Sequence, residues 1–482
     1  MNALASLSPI YAEMFLLVML CTILIVDQFI VNYTKTVTYL LTQTSLFCTV
    51  LILLFTHPTG ITHLFNHMFV HDVMSYVLKV FICLSVMAML LYSRSYLMLR
   101  GLFTGEFLAL VMFATLGMMV MTSASNFLTL YLGLELLALS LYAMVALQRD
   151  SAIATESAMK YFILGAMASG FLLYGMSMLY GATGSLDINR IADVIQHGTP
   201  NKSLLVFGLA FIVAGLAFKL GAVPFHMWVP DVYHGAPTAM TMFIGTAPKL
   251  AAFAFVMRIL VEALQPLMIH WSGMLAILAV LSMAVGNITA IAQTNLKRMF
   301  AYSTIAHMGF LLVGVLSGTI EGYGSAMFYA MVYVLMSLGG FGMIMLLSRE
   351  GFEADTLNDF KGLNQRSPWL AFMMLLLMFS MAGVPPTVGF YAKFSVLNAA
   401  LAAGHVTLVV LAVLFSLIGA FYYLRIVKLM YFDAPESHEK IYIQPDSSLL
   451  VSLNGMAILL LGIFPNTLMA VCFVSVRDSL LH

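Results

Sequence analysis

The chain has 482 residues, of which 62% are hydrophobic and 9% are charged, and its formal net charge is zero. Soluble domains carry about 25% charged residues, so this composition excludes a soluble globular protein and indicates an integral membrane protein. The zero net charge also argues against nucleic-acid binding, which needs a basic surface.

Apolar stretches long enough to cross a bilayer recur along nearly the whole sequence. A spanning helix needs about 20 apolar residues, and runs of this length favour helices over the shorter strands of a barrel. Hydropathy predicts an all-α polytopic membrane protein with about 14 transmembrane helices and no soluble domain. The predicted spans are 10–27, 37–55, 73–92, 106–123, 126–147, 157–181, 203–229, 238–260, 271–291, 297–317, 323–347, 369–403, 405–430 and 447–472.

The basic residues of the predicted loops are distributed unevenly between the two sides of the membrane. Most of them fall on one side, among them Arg149, Arg298 and Arg349. Because cytoplasmic loops carry an excess of Lys and Arg, we expect both termini on the outer side.

Two of the predicted spans are interrupted by glycine and proline. The seventh contains "KLGAVPFHMWVP" and the twelfth contains "AGVPPTVGFYAKF". Proline removes a helical hydrogen bond, and the freed backbone groups must be satisfied by neighbours or water. Two breaks five spans apart predict two inverted five-helix repeats with the working site at the breaks. The expected units are 1–105 (three spans), 106–262 (first repeat), 271–430 (second repeat) and 431–482 (last span).

Five ionisable side chains fall within spans or beside the breaks. They are Glu135, Lys219, Lys249, His307 and Lys393. A charge at membrane depth costs roughly 2.5 to 3.5 kcal/mol on the insertion scale, so such groups normally face a protein interior or a water path. Glu135 is the only carboxylate that the predicted limits place well inside a span, and Lys219 is its predicted partner. Histidine titrates near neutral pH, so the set predicts a proton relay.

Structural explanations compete with the relay. The Glu135–Lys219 pair could be a purely structural ion pair, and His307 could be a packing histidine, since polar side chains are tolerated inside helix bundles. Lys160 follows Glu156 by four residues and is predicted to form an ordinary helical ion pair. Lys79 lies near the end of its span and is predicted to extend its amine to the membrane surface.

Cofactor motifs are sparse in the sequence. "HLFNHMFVHD" places three histidines and Asp72 in one outer loop, but no ligand spacing recurs, so a solvated loop is favoured over a metal site. The four cysteines have no pair spacing, and there is no P-loop or dinucleotide fingerprint. "DVYHGAP" is predicted to form a turn. Any redox energy is therefore expected to come from another chain.

Three segments carry a family resemblance. "FKLGAVPFHMWVPDVYHGAP", "AQTNLKRMFAYSTIAHMGF" and "SMAGVPPTVGFYAKF" resemble the antiporter-like subunits of respiratory complex I, a family that includes the large membrane subunits of multisubunit cation/proton antiporters. The resemblance implies a fold of 14 helices with two inverted repeats. It also implies that Glu135 and Lys219 form a charge pair, that Lys249 and His307 are central, and that Lys393 lies near the proton exit.

The resemblance implies a function as well. We expect a proton-translocating subunit of NADH–quinone oxidoreductase in a bacterial inner membrane, without a cofactor of its own. NADH, FMN, iron–sulfur clusters and quinone are expected in partner subunits, and the neighbouring antiporter-like and small membrane subunits are the expected partners. One alternative is a cation/proton antiporter driven by an ion gradient. Another is a membrane-arm scaffold with inert charges.

Overall fold

The computed structural model describes residues 5–30, 35–435 and 445–480, which are almost entirely helical. The α-helices in chain order are α1 (Tyr11–Phe29), α2 (Thr36–Phe55), α3 (Val73–Leu99), α4 (Gly105–Thr122), α5 (Phe127–Val145), α6 (Ala152–Thr183), α7 (Ile188–His197), α8 (Lys202–Leu220), α9 (Trp228–Gly235), α10 (Thr238–Gly245), α11 (Ala247–Val256), α12 (Met268–Ile291), α13 (Leu296–Leu316), α14 (Ile320–Leu347), α15 (Leu363–Arg366), α16 (Pro368–Ala382), α17 (Val388–Ala402), α18 (Val406–Phe432), α19 (Pro445–Ile463) and α20 (Asn466–Leu480).

The helical segments confirm the predicted all-α polytopic class. Within the described ranges, thirteen segments are long and apolar enough to span a membrane. The shorter α16 and α17 together occupy the predicted twelfth span, which gives fourteen. The predicted last span, 447–472, is wrong in its limits, because α19 ends before Pro465 and α20 continues to Leu480. Proline cannot continue the hydrogen bonding of the preceding helix.

The segments differ strongly in how much protein surrounds them. The apolar core of Thr238–Ala263 is 100% buried, that of Leu296–Leu316 is 94% buried and that of Ile320–Leu347 is 89% buried. By contrast, Leu7–Phe29 and Val406–Phe432 are each 28% buried. The former segments therefore form the centre of the bundle, and the latter present their apolar side chains outward, as lipid-facing helices do.

Short polar side chains define where several helices begin. Asp72, Asn126, Asn201 and Asn295 each precede a helix and accept hydrogen bonds from first-turn N–H groups. Such an N-cap typically contributes about 1 kcal/mol. The local sequence therefore determines where α3, α5, α8 and α13 begin.

The predicted eighth span contains a break that the sequence analysis missed. α10 and α11 are separated at Thr246, whose backbone has φ −119° and ψ −102°. Its hydroxyl donates to the Met242 carbonyl at 2.7 Å, and Pro248 lies in the first turn of α11. The glycine and proline of "GTAPK" were the available signal, but the surrounding apolar run concealed it.

The predicted solvated outer loop is a β-hairpin, with β1 (Thr62–Leu64) antiparallel to β2 (Phe69–His71). Val70 N–H donates to the Ser123 carbonyl at 2.8 Å, which ties the hairpin to the end of α4. His71 and Asp72 are buried, so the prediction of a solvated segment was wrong at this end.

Candidate functional site

The two predicted helix breaks have the same local structure. Gly221 directly follows α8 and Gly383 directly follows α16. Both glycines adopt the left-handed region, with φ 78° and 85°. The residue after each glycine donates its N–H to the carbonyl five residues earlier, at 2.7 and 2.9 Å. This is the hydrogen-bond pattern of a glycine C-cap. A cis peptide bond precedes the proline three residues after each glycine.

Each break places helix-end carbonyls around a lysine. Lys249 of α11 donates to the Leu220 carbonyl at 3.0 Å. Lys393 of α17 donates to the carbonyls of Met381 at 3.0 Å and Ala382 at 2.9 Å. Both lysines are buried. The last carbonyls of a helix lack intrahelical donors and carry the negative end of the helix dipole, which stabilises a cation. The breaks therefore form binding sites for the two predicted lysines.

A third lysine occupies an equivalent position that the sequence analysis did not recognise. Lys297, the first residue of the predicted span 297–317, is buried and donates to the Ala236 carbonyl at 2.7 Å. Ala236 follows the last residue of α9. Lys297 lies in the first turn of α13, and α9 packs against this helix.

The predicted direct ion pair between Glu135 and Lys219 is not formed. The Lys219 amine lies 3.4 Å from the Ser169 hydroxyl, and Glu135 Oε1 has no hydrogen-bond partner among the described residues. The two groups still interact electrostatically, and both side chains are half-buried. The structure thus brings them near each other without contact.

Lys219 and Lys249 share a cavity of about 40 Å³. Its walls include Leu137, Tyr161 and Trp228. A water molecule needs roughly 10 to 15 Å³ of such volume, so the cavity can hold a short water chain between the two amines. Its polar groups make hydration favourable in an otherwise apolar wall.

His307 lies within a cluster of hydroxyl groups. Its Nδ1 is 2.6 Å from the Tyr329 hydroxyl and its Nε2 is 3.1 Å from the Tyr423 hydroxyl. Tyr423 is also 2.5 Å from the Ser303 hydroxyl. Both ring nitrogens are therefore engaged, as a histidine that relays protons requires. The same contacts would also satisfy a packing histidine, so geometry alone leaves both roles open.

The Lys160–Glu156 ion pair is confirmed, with an N–O distance of 2.8 Å. Lys160 also binds Asp231 at 2.8 Å, and Arg298 lies 3.3 Å from the other oxygen of that carboxylate. Asp231 belongs to α9, so the predicted turn at "DVYHGAP" is wrong in its first half. This surface network ties α6 to α9 and α13.

Lys79 does not reach the membrane surface. Its amine is fully buried and forms an ion pair with Glu13 of α1, which makes Glu13 a second carboxylate inside a span. A signal for this pair existed in the sequence. Both α1 and α3 start from the predicted outer side, and Glu13 and Lys79 lie three and seven residues into these helices, at similar depth.

A second buried charge cluster lies at the end of the bundle where α3 begins. Arg258 donates to both carboxylate oxygens of Asp72 at 2.9 Å and to Glu262 at 2.6 Å. Burial alone would raise the pKa of Asp72, but the Arg258 guanidinium and hydrogen bonds from Ser75 hold this pKa below its usual value. Asp72 depends on Arg258 here, since a buried carboxylate without its guanidinium partner would be unpaired, whereas Arg258 also has Glu262.

The fold and these contacts define a class: a helical membrane protein with interior lysines bound at helix breaks. Residues 124–419 match the family described as NADH:quinone oxidoreductase/Mrp antiporter, TM, and the chain belongs to this family.

Comparison with individual proteins gives full-length similarities. The chain is 62% identical over 477 residues to NADH-quinone oxidoreductase subunit N of Thiobacillus denitrificans, covering 99% of each chain. It is 59% identical to the protein of that name from Nitrosomonas europaea, again covering 99% of each.

Two solved structures share the fold. A chain of respiratory complex I from Thermus thermophilus with bound aureothin is 30% identical, with TM-score 0.81, over 95% of this chain and 98% of that one. A chain of the Mrp complex from a Dietzia species has TM-score 0.86 at 19% identity, over 98% of both chains. The latter likeness shows the fold alone.

Proposed function

We propose that the chain is a proton-translocating membrane-arm subunit of an NADH–quinone oxidoreductase. The observation that carries the proposal is the binding of Lys249 and Lys393 at the two helix breaks, in a chain 62% identical to a subunit of that enzyme. Neighbouring antiporter-like and small membrane subunits are the proposed partners. NADH, FMN, iron–sulfur clusters and quinone belong to other chains of the complex.

The proposed relay begins at Glu135 and ends at Lys393. A change of charge beside Glu135 alters its interaction with Lys219, and the Lys219 proton moves through the shared cavity to Lys249. It continues to His307 and then to Lys393, from which it leaves on the outer side. Helix-end carbonyls support each charged lysine. When an amine loses its proton, the same carbonyls still accept a hydrogen bond from it.

The equivalent breaks support the proposed internal repeats. Both use a left-handed glycine followed three residues later by a proline, and they lie in the proposed units 106–262 and 271–430. Relay residues on both units would then share one mechanism in opposite orientations. The proposed location is a bacterial inner membrane with both termini outside, from the distribution of loop Lys and Arg.

Proton pumping in inverted membrane vesicles tests this function. Lys219→Ala should lower NADH-driven pumping, while NADH–ferricyanide activity, which reports assembly, stays normal. Lys202→Ala is a matched control, because Lys202 is exposed at the start of the same helix. Wild-type pumping by the Lys219 variant would make this lysine structural and refute the relay as stated.

The antiporter alternative makes a different prediction. It requires proton movement driven by a sodium or potassium gradient, with no dependence on NADH. Purification of the chain with NADH dehydrogenase subunits, and loss of pumping when NADH is withheld, would exclude it. The scaffold alternative predicts that lysine variants disturb assembly and pumping equally.

A further inference from the structure

The proposed relay has an unexplained gap between its two halves. Lys219 and Lys249 share one cavity, and His307 lies in a separate hydroxyl cluster on α13, α14 and α18. The proposed function requires a proton to pass between them. Tyr233 of α9 lies in this interval.

Tyr233 has an unusual environment for a tyrosine. Its side chain is 0% exposed, and its hydroxyl forms no hydrogen bond of normal geometry with any described residue, although the Thr304 side chain is a polar neighbour. A buried hydroxyl without a partner is costly and rare. The hydroxyl therefore has a donor and an acceptor position available inside the protein.

On one side, the Tyr233 hydroxyl lies at the helix break that precedes Lys249. It faces Gly245 at the break between α10 and α11, where an added Cβ atom would be only 3.2 Å from the hydroxyl oxygen. Lys249 lies four residues after Gly245, in the first turn of α11. Tyr233 also interacts electrostatically with Tyr161, whose side chain lines the cavity of Lys219 and Lys249.

On the other side, the hydroxyl adjoins the cluster around His307. Its neighbour there is the Thr304 side chain, whose Oγ1 lies 2.7 Å from the Tyr333 hydroxyl. The ring of Tyr333 is 5.4 Å from the ring of His307. Thr304 and His307 are one turn apart on α13. Tyr233 thus lies between the helix break that precedes Lys249 and the Thr304–Tyr333 pair beside His307.

We propose that the Tyr233 hydroxyl passes protons between the lysine cavity and the His307 cluster, an inference that rests on the proposed function. A tyrosine hydroxyl can donate and accept at once. The Tyr233 oxygen accepts a proton originating from the Lys249 ammonium and releases its own proton to the Thr304 hydroxyl. Tyr333 passes a proton on to the Tyr329 hydroxyl, with which it interacts electrostatically, and His307 Nδ1, which lies 2.6 Å from that hydroxyl, is the final acceptor. At each oxygen one O–H bond forms and one breaks, so no hydroxyl keeps a charge.

The test is Tyr233→Phe in the whole complex, in inverted vesicles driven by NADH. This change removes one oxygen and keeps the ring. Pumping per NADH oxidised should fall several-fold with normal NADH–ferricyanide activity. Tyr92→Phe is the matched control, because the Tyr92 hydroxyl on α3 is also buried without a partner but contacts no relay residue among those described. Its pumping should equal wild type.

A second variant separates proton transfer from packing. Replacement of Tyr233 by a fluorinated tyrosine makes the phenol more acidic with little change of shape. The pH profile of pumping should shift if the hydroxyl transfers protons. A lowered rate in Tyr233→Phe together with an unshifted profile in the fluorinated protein would assign Tyr233 to packing and overturn the proposal.

Lys249→Ala in the same vesicles distinguishes this inference from the function on which it rests. If the Lys249 variant fails to pump while Tyr233→Phe pumps normally, the bridge is wrong and the function stands. If both variants pump normally, the proposed function itself is refuted.

Discussion

Lys393 donates a 2.9 Å hydrogen bond to the carbonyl of Ala382, the last residue of α16. The lysine lies ten residues beyond Gly383, so the helix after the break returns a cation to the end of the helix before it. The broken helix leaves carbonyls without hydrogen-bond donors, and the buried lysine supplies a donor. Each therefore meets the hydrogen-bonding need of the other.

Replacing Lys393 by methionine should abolish this arrangement with little loss of volume. The amine is lost, and two carbonyls are left without their donor. We expect pumping to fall about tenfold or more, equivalent to a barrier higher by ~1.4 kcal/mol. Initial rates in inverted vesicles measure this. Lys202→Met on the exposed start of α8 is the control, and equal rates in the two variants would contradict the prediction.

Alanine at Gly383 should disturb the same site through the backbone. Alanine at φ 85° costs about 1–2 kcal/mol, and its Cβ would lie 2.9 Å from Lys393 Cδ. Gly404 has a similar φ of 88° with nothing within 4 Å, so Gly404→Ala carries the strain without the contact. Both variants should unfold at similarly lowered temperatures. Only Gly383→Ala should pump less, and reduced pumping in both would show that backbone strain alone is responsible.

The Glu13–Lys79 pair predicts a non-additive double mutant. Removing one partner of a buried ion pair leaves the other unpaired and costs about 3–5 kcal/mol, whereas replacing both by apolar residues is often neutral. Lys79→Met should therefore lower the thermal unfolding temperature of the purified complex, and Glu13→Leu with Lys79→Met should restore it. Additive losses in the double mutant would exclude a direct coupling.

Asp72 predicts a pH-dependent contribution to stability. Its pKa is lower in the folded protein than the usual value near 3.9, so its stabilising effect is complete above that value and is lost as the pH falls through the folded-state pKa. Asp72→Asn, which can still cap α3, should lower the unfolding temperature at pH 7. The difference from wild type should stay constant down to about pH 4 and shrink below it. A difference that persists unchanged at pH 3 would assign the effect to another interaction.

The sequence predicted those features that depend on local chemistry. Apolar length defined the spans, and the glycines and prolines at Gly221, Pro224, Gly383 and Pro386 marked the breaks, because backbone hydrogen bonding fails wherever proline interrupts a helix. The lysines of the proposed relay stood out in the sequence because a charge in an apolar run is costly.

Partnerships between distant segments were less predictable. Glu13 and Lys79 are 66 residues apart, and Lys297 meets the Ala236 carbonyl only because α9 packs on α13. The expected Glu135–Lys219 contact failed for the same reason: helix depth places two groups at one level, but rotation of each helix decides whether they touch. The β-hairpin before α3 depended on pairing with the end of α4.

The contrast in burial between the central and outer segments divides the protein into two environments. α1 and α18 expose most of their apolar side chains at the surface of the bundle, whereas α11, α13 and α14 are surrounded almost entirely by protein. Exchange of one aliphatic residue for another on the outer helices alters little, since hydrocarbon is a uniform solvent there. The interior charges instead experience fixed dipoles, which a change in lipid chain length or headgroup does not rearrange. If the proposed relay operates, the inner helices insulate it from the composition of the membrane around it.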